Sequence, residues 1–281
     1  MNIQELLDRR SFVELTARER AHALMDAHTA RELIDPFERM LSPWLEPQGV
    51  VPQSDDGVVI LKGRIAGNDV VVAAIEGAFQ GGSLGEVGGA KIAGALELAA
   101  ASNRKGIPTR AVLLLETGGV RLQEANLGLA AIAEIHAAIV DLRRYQPVVG
   151  VIAGSVGCFG GMSIAAALCS HLVVTREARL GLNGPQVIEQ EAGIAEYDSR
   201  DRPFIWSLSG GEQRHASGLA DDYVDDDADA VRRAIVNALE EGVQRMPRSD
   251  RVEDYLARLG TVDTSVQPDA DAVRTLYNGS R

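Results

Sequence analysis

Cysteine is scarce in this sequence. Only Cys158 and Cys169 occur among 281 residues. That is too few for a four-thiolate zinc site, and the pair reads as two buried, reduced thiols rather than a disulfide. Positive charge is scarce as well. Asp and Glu number 40 against 28 Lys and Arg, a net charge of −12, which argues against a surface that grips nucleic acid or an anionic membrane. Lysine stands only at Lys62, Lys91 and Lys105. Arginine supplies the remaining positive charge and is the better fork for phosphate or carboxylate, although a biased composition gives the same count. Gly, Pro or a charge interrupts every apolar run, so no membrane span is expected. The opening MNIQELLDRR mixes acid and base as a helix start does and is unlike a secretory signal. We expect a cytoplasmic protein.

Familiar catalytic signatures are missing or incomplete. LSGGE (Leu208 to Glu212) resembles the signature of ABC ATPases, but no G-x-x-x-x-G-K-[ST] phosphate loop accompanies it; it reads as a helix start capped by Ser209. No G-x-G-x-x-G follows a strand, so a dinucleotide site is unsupported. The acidic run DDYVDDDADA (Asp221 to Ala230) lacks the central Gly and terminal Glu of an EF-hand and reads as a solvated loop leading to a helix N-cap. Gly81-Gly82-Ser83-Leu84-Gly85 fits the G-x-S-x-G pattern of a nucleophile elbow. An elbow needs Ser on a tight turn directly after a strand, whereas here the strand ends near Glu76. A triad with His136, His171 or His215 is open by chain order, but a glycine loop is the better reading of Ser83.

What is present is alternation. Residues 1 to 45 look helical, with a capping box at Thr16-Ala17-Arg18-Glu19, and Pro36, Pro43, Pro47 and Pro52 end this arm. Gly57 to Glu76 reads as a hairpin turning at Gly67-Asn68. An alanine-rich helix over Val87 to Asn103 follows. Then RAVLLLE, QPVVGVIAG and HLVVTRE read as buried strands. They are separated by the loop TGGVRLQEANLG with a helix to about Arg144, and by the loop SVGCFGG with the helix MSIAAALC. Asp229 to Arg245 is amphipathic, with Val231, Ala234, Ile235, Ala238 and Leu239 on one face, and the tail from Pro247 forms two short helices. This order predicts an α/β fold with parallel strands and ligands at the strand-to-helix junctions.

The loops TGGVRLQE and GCFGGMS each leave a buried strand and open a helix. Free N–H groups and the helix dipole at such places favour an anion, and two facing loops could hold one oxyanion between two donors. Glycine permits the close approach; it would equally serve tight turns alone.

TGGVRLQEA, GSVGCFGGMSIAAALCSHLVVTREARLGLNGPQVIE and SFVELTARERAHALMD, together with FQGGSLGEVGGAKI, resemble the carboxyltransferase branch of the crotonase superfamily. The resemblance runs from about Ser11 to Val224, and within the branch it is nearest the family of biotin-independent malonate decarboxylase β subunits. It implies a crotonase-like fold of stacked ββα units in two roughly perpendicular sheets with additional N- and C-terminal helices. It also implies a single domain over 1–281: an N-terminal helical arm (1–50), a core (51–225) and C-terminal helices (226–281). Two backbone N–H groups are implied to polarise a thioester carbonyl, one from Gly119 or Val120 and one from Gly160 or Gly161. Gly82, Ser83, Gly118, Arg121, Pro185 and Gln186 are implied to line the substrate. Arg121 could meet a substrate anion or brace Glu124 three residues on.

Departures narrow the chemistry. Enoyl-CoA hydratases carry two glutamates where this chain has Ser163 and Gln186, neither of which serves as acid or base near neutral pH. The Cys₄ zinc ribbon usual in bacterial acetyl-CoA carboxylase β subunits is missing. The resemblance then implies decarboxylation of a malonyl thioester to an acetyl thioester and CO₂, with no biotin, no metal and no cofactor held covalently by this chain. The implied partners are a homologous γ subunit and an acyl-carrier protein bearing a CoA-like phosphoribosyl-dephospho-CoA arm. The proton donor, or the group that binds the carboxylate, is expected to come partly from the γ subunit. The alternatives are a biotin-dependent acyl-CoA carboxyltransferase subunit, a serine hydrolase using Ser83, and a non-catalytic thioester-binding scaffold.

Overall fold

The computed structural model describes residues 9–49, 57–263, 265–266 and 269–278. Among these residues seven strands lie side by side in chain order: β1 (Arg31–Leu33), β2 (Val58–Ile65), β3 (Asn68–Ile75), β4 (Arg110–Leu114), β5 (Val148–Ile152), β6 (His171–Thr175) and β7 (Asp222–Val224). β1, β2 and β3 are antiparallel neighbours; β3 to β7 run parallel. The parallel strands β4, β5 and β6 are apolar at nearly every position because both faces are covered. Leu113, Ile152 and Val174 face one core with helices α2 (Glu86–Arg104) and α3 (Asn126–Leu142). Val112, Val151 and Val173 face the other, beneath α1 (Ala17–Leu24) and α8 (Ala228–Glu241). A fully buried side chain of this size stabilises by about 1.5–3 kcal/mol.

The amphipathic reading of α8 holds: Val231, Ala234, Ile235, Ala238 and Leu239 are all buried. The remaining helices are α4 (Gly161–Leu168), α5 (Pro185–Ala192), α6 (Arg202–Ser209), α7 (Gly211–Ala216) and the two short tail helices α9 (Val252–Leu259) and α10 (Ala270–Asn278). Among the described residues no helix is long and apolar enough to cross a membrane.

The implied second sheet is reduced to a ladder of single bridges: Leu84 with Val120, Thr117 with Cys158, Cys158 with Leu180, and Arg179 with Gly210. Glycines with positive φ beside these residues, at Gly82, Gly119, Gly157 and Gly160, turn the backbone away before a longer ladder forms.

Four local expectations change. The hairpin turns at Ala66-Gly67, because Ile65 pairs with Asn68. Both turn residues have positive φ, and the Asp26 carboxylate accepts from their two N–H groups. In the N-terminal arm the Thr16–Glu19 capping box forms, but α1 is the only α-helix among residues 9–49. Short turns at Pro36–Glu38 and Glu46–Gln48 and the edge strand β1 take the rest. Residues 1–8 and Pro52 lie outside the described residues. Ser209 ends α6 and donates to the Ile205 carbonyl; Gly210 is the N-cap of α7. The acidic run is not merely solvated. It supplies β7, and Asp227 caps α8. Asp221 pairs with Arg248, and Asp226 accepts from the Phe12 and Val13 N–H groups.

Candidate active site

Past the end of β4, Leu115, Glu116 and Thr117 lead into the first glycine loop, Gly118-Gly119-Val120. Past β5 the chain runs through Ser155 to the second, Cys158-Phe159-Gly160-Gly161, which opens α4. The loops touch. A methyl group added to Gly160 would lie 3.3 Å from the Gly119 Cα and 4.0 Å from the Val120 nitrogen. Gly119 has φ 106° and Gly160 φ 60°, a region that side chains disfavour, so both positions need glycine for conformation as well as approach.

The donors divide into two sets. Gly118 N–H donates to the Gly81 carbonyl at 2.9 Å and Gly119 N–H to Thr117 Oγ1 at 3.0 Å. Gly160 N–H donates to the Leu182 carbonyl at 2.8 Å. Val120 N–H and Gly161 N–H have no acceptor among the described residues. Each of these two peptides is held from its other side. The carbonyl of Gly119, bonded to the Val120 nitrogen, accepts from Leu84 N–H at 2.8 Å. The carbonyl of Gly160, bonded to the Gly161 nitrogen, accepts from Ser163 N–H at 3.0 Å and from Ser163 Oγ at 2.7 Å. A hydrogen bond to a peptide oxygen polarises that peptide and strengthens its N–H as a donor. Gly161 is also the first residue of α4, so the positive end of the helix dipole adds to it.

Buried charges fix this arrangement. Glu116 occupies a slot between Gly77 and Gly154; a methyl at Gly154 would lie 2.0 Å from its Oε2. Glu116 accepts from Gly157 N–H at 3.0 Å and from Arg20 Nη1 at 3.1 Å, which ties α1 to the second loop. Arg20 also donates to the Phe12 and Val13 carbonyls. On the first loop, Arg121 pairs with Glu124 at 2.9 Å, donates to the Ser83 carbonyl at 2.8 Å and lies over the Phe79 ring. Glu124 in turn accepts from Glu86 N–H at the start of α2.

The structure therefore brings Gly82, Ser83, Gly118, Gly119, Val120 and Arg121 together on one loop cluster, with Gly160 and Gly161 against it. Arg121 braces Glu124 and the Ser83 segment. The Ser83 hydroxyl lies 3.4 Å from Arg121 Nε. His136 contacts the Gly161 carbonyl, His171 pairs with Asp222 and His215 stacks on Tyr223, so none forms a triad with Ser83. Pro185 opens α5 just beyond Leu182, whose carbonyl holds Gly160; Gln186 is exposed on the first turn of α5. Sequence reading missed Glu116, Thr117 and Arg20. The signal available was a carboxylate at the end of the apolar run RAVLLLE, immediately before the glycines. Both cysteines are free and buried. Burial pushes the Cys169 thiol up to about 12 and the Cys158 thiol well above its ordinary value, so neither is a nucleophile.

Two touching glycine loops, each with one N–H that has no acceptor among the described residues, can hold one oxyanion between two donors, and the carboxyl transferase domain family matches residues 10–272. The chain belongs to this family. The malonyl-S-ACP:biotin-protein carboxyltransferase of Malonomonas rubra is 37% identical over 258 residues, 88% of this chain and 81% of that one. A subunit in the structure of a Pseudomonas malonate decarboxylase hetero-tetramer in complex with malonate superposes with a TM-score of 0.94 at 72% identity, covering 98% of this chain and 100% of that one. The transcarboxylase 12S structure with methylmalonyl-coenzyme A and methylmalonic acid bound gives a TM-score of 0.67 at 29% identity, over 80% of this chain and 41% of that one. The crotonase-like fold and the family resemblance read in the sequence are thus borne out, and this carboxyl transferase family member is an enzyme subunit.

Proposed function

We propose that the chain is the β subunit of a malonate decarboxylase and releases CO₂ from a malonyl group held as a thioester on an acyl-carrier protein. Its single domain carries the oxyanion site. The thioester oxygen sits between Val120 N–H and Gly161 N–H, while Gly119 and Gly160 supply the turns. The C–C bond to the carboxylate breaks, CO₂ leaves, and the electron pair forms an enolate whose O⁻ is held by the two donors. A proton then reaches the carbanion carbon from outside this chain, giving the acetyl thioester. Val120 N–H and Gly161 N–H, each without an acceptor among the described residues and each in a peptide anchored through its carbonyl, carry this reading. The step asks nothing of biotin or a metal. The thioester arm is the CoA-like phosphoribosyl-dephospho-CoA group of the carrier protein.

A homologous γ subunit closes the site and supplies the proton donor. Leu122 (81% exposed), Leu182 (62%) and Ile164 (46%) flank the two loops with apolar surface, the kind a partner covers, and the Pseudomonas relative is a hetero-tetramer. Excluding water there favours loss of CO₂ from a desolvated carboxylate.

The test compares Gly161→Pro with Gly161→Ala in the assembled enzyme. A Cβ in either variant meets Ile132 at 2.8 Å, but only proline removes the N–H, and proline is tolerated at the first helical position. CO₂ release by the proline variant should be about 10²–10³ slower than by the alanine variant. Equal rates in two folded variants would refute the assignment. The Malonomonas relative favours a second reading, carboxyl transfer to a biotin protein. Release that stops when avidin is added selects it; release indifferent to avidin selects decarboxylation without biotin.

A further inference from the structure

Beyond the second glycine loop lies a cavity of about 1010 Å³ with five arginines in its wall: Arg176, Arg179, Arg200, Arg202 and Arg274. Its lining has only two acids, Glu177 and Glu212, so the wall carries a formal charge of +3 in a chain whose net charge is −12. Like charges gathered against the sign of the whole molecule repel one another unless a counter-charge joins them.

The two acids do not neutralise the set. Glu212 meets Arg274 at 3.9 Å, and Arg200 pairs with Asp198. Among the described residues, no carboxylate lies within ion-pair distance of Arg176, Arg179 or Arg202. Among the described residues Glu177 joins no ion pair, and its Oε2 is buried without a partner there. Arg179 is held in place by aromatic faces instead. Its guanidinium lies 4.6 Å from the Trp206 ring centroid and 5.5 Å from that of Phe159, and it donates to the Ser155 carbonyl. Stacking fixes the plane of the fork, which is how arginine is pre-set for a phosphate.

We propose that this cavity binds a diphosphate group. Its volume is at the upper end of the range for nucleotide-sized ligands, and three guanidinia without carboxylate partners match the two or three negative charges of a diphosphate. The group could arrive on a free nucleoside diphosphate or as the diphosphate of a CoA-type arm. Phe159, whose ring lies against Arg179 of the cavity wall, directly precedes Gly160 in the chain, which makes the second source compatible with the oxyanion site. The anion site itself does not depend on that reading.

The experiment is calorimetric titration of the full chain with inorganic pyrophosphate, ADP and dephospho-CoA at low and high salt. The exposed pair Arg176→Gln/Arg202→Gln should weaken pyrophosphate at least about tenfold, since each lost charge-assisted bond is worth about a factor of ten. Glu212→Gln should tighten it. Arg64→Gln on the β2–β3 hairpin serves as control and should change it less than twofold. No pyrophosphate binding by the wild type overturns the proposal. So does an equal loss in Arg64→Gln, or a double variant within twofold of wild type. Dephospho-CoA binding at least tenfold tighter than ADP assigns the site to the substrate arm; equal binding assigns it to free nucleotide. Failure of pyrophosphate to bind leaves the Gly161 result untouched, so the two proposals fail separately.

Discussion

The two glycine loops present matching donors but are supported differently. The second runs straight into α4, so its donor peptide has a helix dipole behind it and a Ser163 hydroxyl on its carbonyl. The first has no such helix. After Val120 come Arg121 and a short turn over Leu122–Glu124, then a break at Ala125 with φ 46° before α3 begins. The Phe79–Gly85 segment stands in for the missing helix: Gly81 and Leu84 hold Gly118 and Gly119 through the backbone, and Arg121 locks Ser83 in place. One donor is thus prepared by regular structure, the other by a neighbouring loop and a buried ion pair. The first loop should be the more sensitive to side-chain changes around it, the second to changes beneath it.

The largest effect should come from below the second loop. Glu116→Ala leaves Arg20 buried without its carboxylate, both side chains being at most 10% exposed. Denaturant unfolding should show a loss of about 3–5 kcal/mol, and the second donor should lose its anchor at Gly157. Next is the first loop. Thr117 is fully buried, and Thr117→Val removes the acceptor of Gly119 N–H, costing about 1–3 kcal/mol. Thr117→Ser should restore both stability and kcat; failure of serine to rescue would mean that the methyl group, not the hydroxyl, matters. Ser163→Ala is milder, because Ser163 N–H still holds the Gly160 carbonyl. Loss of one such bond is worth about 0.5–1.5 kcal/mol. It should lower kcat by less than about tenfold with KM unchanged, and a raised KM instead would place Ser163 in binding.

The smallest effect concerns Asp26, remote from both loops. The Gly67 N–H bond, helped by Ala66 N–H and Arg232, holds its carboxyl below the ordinary range. A depressed folded-state pKa contributes stability above the unfolded value of about 3.9 and loses it as pH falls through the lower folded value. Thermal melts of wild type and Asp26→Asn should therefore differ at pH 7 and converge below about pH 4.

The glycine loops were legible in the sequence because glycine after an apolar run is a strong local signal. Which amides are left without an acceptor among the described residues was not. That depends on Thr117 Oγ1 and the Leu182 carbonyl taking up Gly119 and Gly160, contacts set by turns two and 22 residues away. The parallel strands were legible from continuous apolar runs such as VVGVI. The three-residue edge strands β1 and β7 were not, because REL and DYV carry no alternation and exist only through pairing with β2 and β6. Likewise Ser209 looked like a helix cap by composition, while the backbone placed the break one residue later at Gly210.

The ties from Asp226 to Phe12 and Val13, with Ala228 N–H reaching the Arg10 carbonyl, have a consequence for the order of assembly. The N-terminal arm is made first but has its clasp more than 200 residues later. At about 5–20 residues per second of synthesis, Arg20 emerges on the order of ten seconds before residue 226 can fasten the segment that carries it. The arm therefore waits for its clasp, and the second loop, tied to it through Arg20 and Glu116, reaches its final setting only after residues 226 to 228 have been made.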